Sequence, residues 1–496
     1  MLFNSAAYLI FLPIVAILYW ILPFRFRTAF LVAASYYFYM TWKPIYGILI
    51  AGMTIFNYFA GLKLADEKKH PKLILGISIV VNLLILGYYK YTYFAIDSAN
   101  TVLNAVHKTP ISYPVSEIIL PLGISFFVFE FIHYLMDIYR GKAPIKAPLE
   151  FALFPSFFPT QIAGPIKRYH DFVPQLHTPL KLKLKEFDEG IELILWGLFK
   201  KVLIADNLAV VVDRTVLHPQ ALSSLDMWLV FYAFAFQVYM DFSGYTDIAR
   251  GSAALLGFKV PKNFDLPYIS GSMNEFWKRW HISLSTWLRD YLFIPLGGSK
   301  SGKWGTYRNL LVTMTLCGLW HGAALHYVLF GFSHGVLVTL NRLWRDFVEA
   351  DWNPLSKEMV AFTATKPYHV FAVIFNFNVY IFTLVFFRVS DLKTMGLCFE
   401  KLLGMGSLAD GLNRLSLTLP TIEGPANFAA LPIALVVLFA GHFLADYFGK
   451  KEKSEPGTLP LPPKLAPLRA VYLAALAVLL LLFSPDGTPS FIYFQF

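Results

Sequence analysis

Residues 319–335, LWHGAALHYVLFGFSHG, place histidines inside one of the most apolar parts of the chain. His321 follows Arg308 by 13 residues, with no charged residue between the two. At a helical rise of about 1.5 Å per residue, its imidazole would lie roughly 20 Å into a bilayer. An ionisable side chain at that depth is costly, and it normally faces a protein interior or a water-filled cavity. His321 is therefore the first candidate for a functional residue.

The composition is that of an integral membrane protein. Of the 496 residues, 56% are hydrophobic and only 15% are charged, whereas soluble domains carry about 25% charged residues. Apolar segments recur along the chain without a polar block large enough for a soluble domain. The sequence therefore predicts an all-α polytopic membrane protein with a single membrane-embedded domain over residues 1–496.

The net charge of +10 comes from Lys and Arg residues that cluster between the apolar segments. This distribution is typical of membrane topology and of contact with anionic lipid headgroups, and it argues against nucleic acid as a partner. The two cysteines, Cys317 and Cys398, have no metal-ligand spacing and form no disulfide framework. We therefore predict no metal site.

About a dozen segments are apolar enough to be candidate transmembrane helices. With an external N-terminus, the cytoplasmic connections carry most of the Lys and Arg residues, so the positive-inside bias predicts that both termini lie outside. The candidate spans are residues 6–22, 28–41, 44–62, 73–95, 117–137, 190–212, 227–255, 307–325, 326–342, 368–388, 428–448 and 468–484.

The first of two long cytoplasmic connections, residues 148–184, is too apolar for an ordinary loop. It contains FALFPSFFPTQIAGPIKRYHDF, in which Pro155, Pro159 and Gly164 oppose a continuous helix. Irregular backbone at membrane depth is tolerated only where protein or a water-filled cavity surrounds it. We therefore predict a re-entrant or interfacial segment.

The second connection, residues 259–303, contains MNEFWKRWHISLSTWLRDYLFIPLGGS. Its aromatic residues recur at roughly helical spacing, and Asn274 is placed to cap a helix from about residue 275 to residue 292. This pattern predicts an amphipathic helix at the cytoplasmic membrane surface.

Three residues of this second connection are candidates for the site. His281 and His321 would border a passage from the cytoplasm into the membrane core, in which a neutral imidazole takes a proton from an acceptor hydroxyl. Packing among interfacial aromatic residues explains His281 equally well. Lys278 and Arg279 are candidates for binding the phosphates of a coenzyme A or phosphopantetheine donor, with lipid headgroups as the alternative ligand.

Other polar residues of the apolar segments have alternative explanations. Cys317 shares a helix face with His321 and would suit a thioester intermediate, but it is also a small residue beside Gly318 and Gly322, whose spacing lets helices approach closely. His326 and His334 would extend a proton path or pack between helices.

Two further groups of charged residues have helical spacing. Asp247 and Arg250, three residues apart in MDFSGYTDIARG, are predicted to form a structural ion pair, with a place in the wall of the catalytic chamber as the alternative. Glu130, His133 and Asp137 share one helix face and predict polar contacts inside the membrane.

Taken together and in this order, several fragments resemble the membrane-bound O-acyltransferase (MBOAT) family. The resemblance covers nearly the whole chain and implies a polytopic fold with a funnel on each side of a thin central partition. It matches the family's active-site histidine to His321 in LWHG and a second histidine to His281 in KRWH. The fragments are MLFNSAAYLIFLP, PLGISFFVFEFIHYLMDIYRG, FPTQIAGPIKRYHDF, MDFSGYTDIARG, FWKRWHISLSTWLRDYLFIPLGGS, LWHGAALHYVLFGFSHG and FIYFQF.

The resemblance implies an enzyme of the bacterial inner membrane that moves an acetyl group from a cytoplasmic thioester across the membrane. The donor would be acetyl-CoA or an acyl carrier protein, and the product an O-acetylated extracytoplasmic polysaccharide such as alginate. An extracytoplasmic acetyltransferase is the implied partner. Two alternatives are a transporter or channel component of a polysaccharide export system, and a scaffold in which both histidines are dispensable.

Overall fold

A computed structural model describes residues 1, 3–114, 117–178, 183–216, 218–350, 352–405, 431–452, 474–476, 478–480 and 491. Most of the predicted span at 468–484 lies outside these residues. So do the first part of the predicted span at 428–448 and every residue of FIYFQF except Phe491.

Within the described residues the chain is helical and contains no β-strand, which confirms the all-α prediction. The first helices are α1 (Ala6–Ile21), α2 (Phe24–Met40), α3 (Pro44–Asp66), α4 (Pro71–Leu86), α5 (Thr92–Ala105), α6 (Ile124–Tyr139), α7 (Pro148–Ser156), α8 (Tyr169–His177) and α9 (Leu184–Leu198). They are followed by α10 (Asp206–Val216), α11 (Ser224–Leu255), α12 (Met273–Arg279), α13 (Ile282–Leu288), α14 (Gly302–His321), α15 (Leu325–Val348), α16 (Ser356–Thr363), α17 (Lys366–Arg388), α18 (Leu392–Leu402) and α19 (Leu431–Glu452). Turns of π-helix follow α4, α9 and α13 at Gly87–Tyr91, Phe199–Ala205 and Arg289–Phe293.

Among the described residues, three helical segments are long and apolar enough to cross a membrane: α3, the continuous segment Pro71–Ala105, and α17. Shorter apolar helices are α1 and the first part of α19, Leu431–Ala445. Helix α1 also exposes large apolar side chains, such as Ile10 at 63% and Ile21 at 73%. Lipid is the solvent in which such faces are stable. The larger number of spans stays a prediction.

The helices form two compact units, of which the first comprises Met1–Ile194 and Tyr245–Lys262. Helices α3 and α4 are joined by the buried amides of Asn57 and Asn82, which donate to each other's oxygens at 3.0 and 2.8 Å. The predicted ion pair is present, with 3.9 Å between Arg250 Nη1 and Asp247 Oδ1. The prediction of one domain over residues 1–496 stays a prediction.

The prediction that residues 148–184 do not form one continuous helix is confirmed in this first unit. Helix α7 ends at Ser156, and the backbone is irregular until α8 begins. The segment is nonetheless buried, with Phe157 and Phe158 at 0% exposure. A Cβ atom on Gly164 would lie 2.4 Å from the Cα atom of Thr160, so the backbone turns too tightly there for a side chain. Proline and glycine thus produce a buried, non-helical segment.

The polar face of α6 packs against charged residues. Glu130, His133 and Asp137 are all buried. Lys167, itself 1% exposed, donates to Glu130 Oε1 at 2.9 Å, and Lys142 donates to Asp137 Oδ2 at 2.9 Å. The polar contacts predicted for this face therefore include one ion pair that is local, at Asp137, and one between residues 37 apart in the sequence, at Glu130.

The second unit comprises the described parts of Leu195–Gly244 and Asn263–Phe496. It contains a buried ionic cluster that the sequence does not reveal. Lys201 lies in the π-helical turn after α9 and contacts Asp206 at 2.7 Å and Asp241 at 2.8 Å. Such a cluster holds its elements in one register because every member would be costly to bury without the others.

The predicted continuous helix at 275–292 is wrong. Helix α12 is capped by Ser272, whose side chain accepts from the amide of Glu275, and not by Asn274. It ends at Arg279, and α13 begins at Ile282. Between them His281 adopts a left-handed conformation with φ of +41°, which an L-residue rarely adopts and which a helix cannot contain. The aromatic spacing that indicated one helix is therefore shared by two short helices.

Candidate active site

His321 is the last residue of α14, where the chain turns into α15. Its ring packs 5.8 Å from the ring of Phe330 and 5.5 Å from that of Phe387. The side chain borders a narrow cavity of about 10 Å³, which is the room of about one water molecule. The residues that line it are Val238, Phe276, Trp277, Trp280, His321, Phe330, His334, Tyr380, Leu384 and Phe387.

Glycines bring α14 and α15 close enough to form this cavity. A Cβ atom on Gly318 would lie 2.2 Å from the carbonyl oxygen of Tyr327 and 2.6 Å from the nitrogen of Gly331. The predicted partner, Gly322, is instead extended beyond the end of α14 and faces the ring of Tyr327. The prediction of close helix packing is thus confirmed for Gly318, while Gly331 is its partner because the chain reverses just after His321.

The two histidines of α15 have different surroundings. His326 is hydrogen-bonded through Nδ1 to the carbonyl oxygen of Phe386, at 2.9 Å, which ties α15 to α17. His334 is 0% exposed and lines the same cavity as His321. Its Nδ1 accepts a hydrogen bond of 3.3 Å from Nε1 of Trp277. Only His334 therefore shares the surroundings of His321.

A second cavity of about 330 Å³ lies beside α12 and α13, and its volume suits a small-molecule group. Lys278 and Arg289 supply cations to its lining, with Ile282, Phe293 and Met314 among the apolar residues. Trp277 belongs to the linings of both cavities. The predicted donor-binding residue Lys278 is thus on a cavity wall.

Arg279, the other predicted donor-binding residue, is held by its neighbours. Its Nε donates to Glu275 Oε1 at 2.9 Å, and its Nη1 donates to the carbonyl oxygen of Asp265 at 3.0 Å. These contacts fix the end of α12, so the fork of Arg279 is engaged with the protein itself.

His281 is fully buried at the break between α12 and α13. Its ring meets the ring of Phe242 edge to face at 4.6 Å and lies 6.1 Å from the ring of Trp320. Burial lowers the pKa of His281 to about 3, so its imidazole is neutral at physiological pH. Trp320 directly precedes His321, and its ring lies 4.8 Å from that of His321. The structure thus places one tryptophan in contact with both predicted histidines.

Several residues at the site were missed by the sequence reasoning. Trp277 and Arg289 lie in the FWKRWHISLSTWLRD fragment, where their spacing does not distinguish them from the rest of the predicted amphipathic helix. The sequence gives no indication that Tyr380 belongs to the site, because it is one aromatic residue among many in α17.

Cys317, a candidate for a covalent role, is buried at 1% exposure. Among the described residues no group of three or more His, Cys, Asp or Glu side chains is arranged for a metal ion.

Comparison with known proteins identifies the family. The sequence profile of MBOAT, the membrane-bound O-acyltransferase family, matches residues 142–387. A protein named "Probable alginate O-acetylase AlgI" from Pseudomonas putida is 38% identical, and the alignment covers 100% of both chains. The chain belongs to the membrane-bound O-acyltransferase family.

Other MBOAT relatives carry different names. The Helicobacter pylori protein named "Peptidoglycan O-acetyltransferase" is 32% identical over 82% of this chain and 81% of its own length. The Bacillus subtilis "Teichoic acid D-alanyltransferase" is 34% identical over 47% of this chain and 61% of its own. The chain is therefore a membrane-bound enzyme that transfers acyl groups. All residues that line the two cavities lie within the region that the family profile matches.

Proposed function

We propose that this MBOAT enzyme takes an acetyl group from a cytoplasmic thioester and transfers it for the O-acetylation of an extracytoplasmic polysaccharide such as alginate. The observation that carries the proposal is the position of His321, at the end of α14 and on the wall of a cavity. The names of the relatives, alginate O-acetylase and peptidoglycan O-acetyltransferase, support acetyl as the acyl group.

In this proposal His321 is the general base. Its neutral imidazole takes the proton of the acceptor hydroxyl as the hydroxyl oxygen attacks the thioester carbonyl carbon. The carbon–sulfur bond then breaks, and the departing thiolate takes the proton back from the imidazolium. His281 contributes through Trp320, which its ring contacts. We assign it to orienting the reacting groups, because it is not among the residues that line the cavity beside His321.

The donor is acetyl-CoA or an acetylated acyl carrier protein, and the larger cavity is its proposed binding site. Both donors present a phosphopantetheine arm, which is a narrow chain with a phosphate at its far end. Lys278 and Arg289 are suited to bind that phosphate because cations are its usual partners. Arg279 supports Lys278 by fixing the end of α12.

We further propose that this protein lies in the bacterial inner membrane and crosses it about a dozen times, with all its spans in one domain over residues 1–496. The three apolar helices and the apolar exposed faces support a membrane location. The proposed partners are membrane lipids, a possible acyl carrier protein and an extracytoplasmic acetyltransferase that receives the acetyl group.

The test is an acetyl-transfer assay with purified protein in liposomes. Carbon-labelled acetyl-CoA and labelled acetyl acyl carrier protein are supplied in separate reactions, with alginate and peptidoglycan oligosaccharides as acceptors, and with and without a soluble extracytoplasmic acetyltransferase. Wild-type protein is expected to move label from thioester to hydroxyl. The His321→Ala variant is expected to move none while eluting and unfolding like the wild type.

Two results would overturn the proposal. Full label transfer by the correctly inserted His321→Ala variant would remove His321 from the chemistry. Movement of oligosaccharide across the liposome membrane without consumption of thioester would instead identify a transporter.

A further inference from the structure

Within the described part of the protein, one ring nitrogen of His334 takes part in a hydrogen bond and the other does not. Its Nδ1 accepts from the indole N–H of Trp277 at 3.3 Å. Its Nε2 is buried and has no hydrogen-bond partner among the residues that the structure describes. Because His334 is 0% exposed, bulk water does not satisfy that atom in the way it would at a surface.

The bond from Trp277 determines which nitrogen of His334 carries the proton. An indole N–H can only donate, so Nδ1 of His334 must be the acceptor and carries no hydrogen. The neutral imidazole then has its hydrogen on Nε2. His334 therefore has a fixed N–H donor that no described residue accepts from, in a ring that lines the cavity beside His321.

The size of the cavity brings the two histidines to the same reacting group. It has a volume of about 10 Å³, and its remaining walls are mostly aromatic. The ring of Phe330 packs against both histidines, 5.8 Å from the ring of His321 and 4.5 Å from that of His334. Both histidines line this one small space, so a carbonyl group that enters it beside His321 is brought towards His334.

We propose that His334 is a further catalytic residue, whose Nε2–H donates a hydrogen bond to the carbonyl oxygen of the acyl group during transfer. This inference rests on the proposed function of His321. Trp277 is the corresponding positioning residue, because its indole fixes the tautomer of His334.

The step divides the chemistry between the two histidines. His321 removes the hydroxyl proton, the acceptor oxygen bonds to the thioester carbon, and the electron pair of the carbonyl moves onto its oxygen. The Nε2–H of His334 stabilises that oxyanion. When the oxyanion collapses, the carbon–sulfur bond breaks and the thiolate takes the proton from His321. His334 keeps its own proton throughout.

Removing a single hydrogen-bond donor to an oxyanion lowers kcat by about 10²–10³-fold, and the test looks for a loss of this size. The liposome assay with labelled acetyl-CoA is run on His334→Phe, which keeps a ring but has no donor, and on His334→Gln, which keeps an N–H. We expect His334→Phe to lose about 10²–10³-fold in kcat with little change in KM for the thioester. His334→Gln is expected to retain at least about a tenth of the wild-type kcat.

The matched control is His326→Gln. His326 is a second buried histidine of α15, but its ring is hydrogen-bonded to the carbonyl of Phe386 and does not belong to the cavity lining. A glutamine can still donate to that carbonyl, so kcat should stay within about twofold of the wild type. Elution volume and unfolding temperature are measured for every variant.

Trp277→Phe tests the proposed positioning role of Trp277, and it is informative even if His334→Phe does not fold. It removes the indole donor and leaves His334 in place, so the proton is no longer confined to Nε2. We expect kcat to fall by about tenfold, and KM for the thioester to change by less than kcat, although Trp277 also lines the larger cavity. An unchanged kcat in Trp277→Phe, or equal losses in His334→Phe and His334→Gln, would overturn the inference.

The two proposals fail in different ways. Absence of acetyl transfer by the wild type, or full transfer by His321→Ala, contradicts the proposed function. Normal kcat in a folded His334→Phe variant, alongside an inactive His321→Ala variant, contradicts only the role of His334.

Discussion

Helix α6 in the first unit and the α14–α15 hairpin in the second both bury ionisable side chains, but they treat them differently. On α6, Glu130 and Asp137 each contact a lysine at 2.9 Å, so their negative charges are balanced by ion pairs within the protein. On the hairpin, His321 and His334 line a cavity with aromatic walls. A neutral imidazole beside open space can exchange a proton with a substrate, whereas a carboxylate paired with a fixed lysine is held by it. Burial alone therefore does not identify a functional residue.

The sharpest test of this difference exchanges one buried histidine in each region for glutamine. His321→Gln is expected to lower acetyl transfer by more than about 10³-fold, because an amide cannot act as a general base. His133→Gln on α6 is expected to reduce the yield of folded protein, while activity per folded molecule stays within about twofold. Activity is measured by label transfer and folded protein by size-exclusion elution.

The contrast would fail if the two variants behaved alike. A His133→Gln protein that elutes normally yet transfers no acetyl would place α6 in the chemistry. A normal transfer rate in His321→Gln would show that no base is needed at that position.

The second prediction concerns the ion pair of α6. Removing only the cation, in Lys167→Met, leaves Glu130 buried without its partner at 2.9 Å and should cost about 3–5 kcal/mol of stability. The double variant Glu130→Leu with Lys167→Met removes both charges and should recover most of that loss. Thermal unfolding in detergent, followed by tryptophan fluorescence, measures both.

Recovery of stability in the double variant would show that Lys167 is buried because it pairs with Glu130. If the double variant were as unstable as Lys167→Met, the pair could not be the reason that Lys167 is buried. If it were stable but inactive, the charges of Glu130 and Lys167 would serve the reaction and not only the fold.

Much of this architecture is predictable from the sequence because its causes are local. The interruption after residue 156 follows from Pro159 and Gly164, which oppose a helix wherever they occur. The burial of His321, at 5% exposure, is expected from the uncharged run after Arg308. Such features need only neighbouring residues and the properties of lipid.

The remaining features depend on contacts between distant residues. The break at His281 is stabilised by tertiary bonds, among them the one from the amide of Ile282 to the carbonyl of Asn263 at 2.9 Å. Aromatic spacing cannot show this and predicted one continuous helix. Trp277 and His334 are 57 residues apart, so the bond that fixes the tautomer of His334 is equally invisible in a single sequence.

The smallest predicted effect tests how tightly the hairpin must close to form its cavity. Gly318→Ala places a methyl group where the carbonyl oxygen of Tyr327 and the backbone of Gly331 lie only 2.2 and 2.6 Å away. These are backbone atoms, so the helices must separate, at a cost of about 1–3 kcal/mol. The change also widens the turn that carries His321, so kcat should fall with stability.

The matched control is Gly396→Ala in α18, where an added methyl group meets no heavy atom within 4 Å. There the substitution removes only the conformational freedom of glycine in a helix and should stabilise the protein by up to about 1 kcal/mol. The two variants therefore shift the unfolding temperature in opposite directions, although the chemical change is identical. If both shifted it upwards, the close approach of α14 and α15 would not be needed, and the cavity beside His321 would owe its shape to the aromatic walls alone.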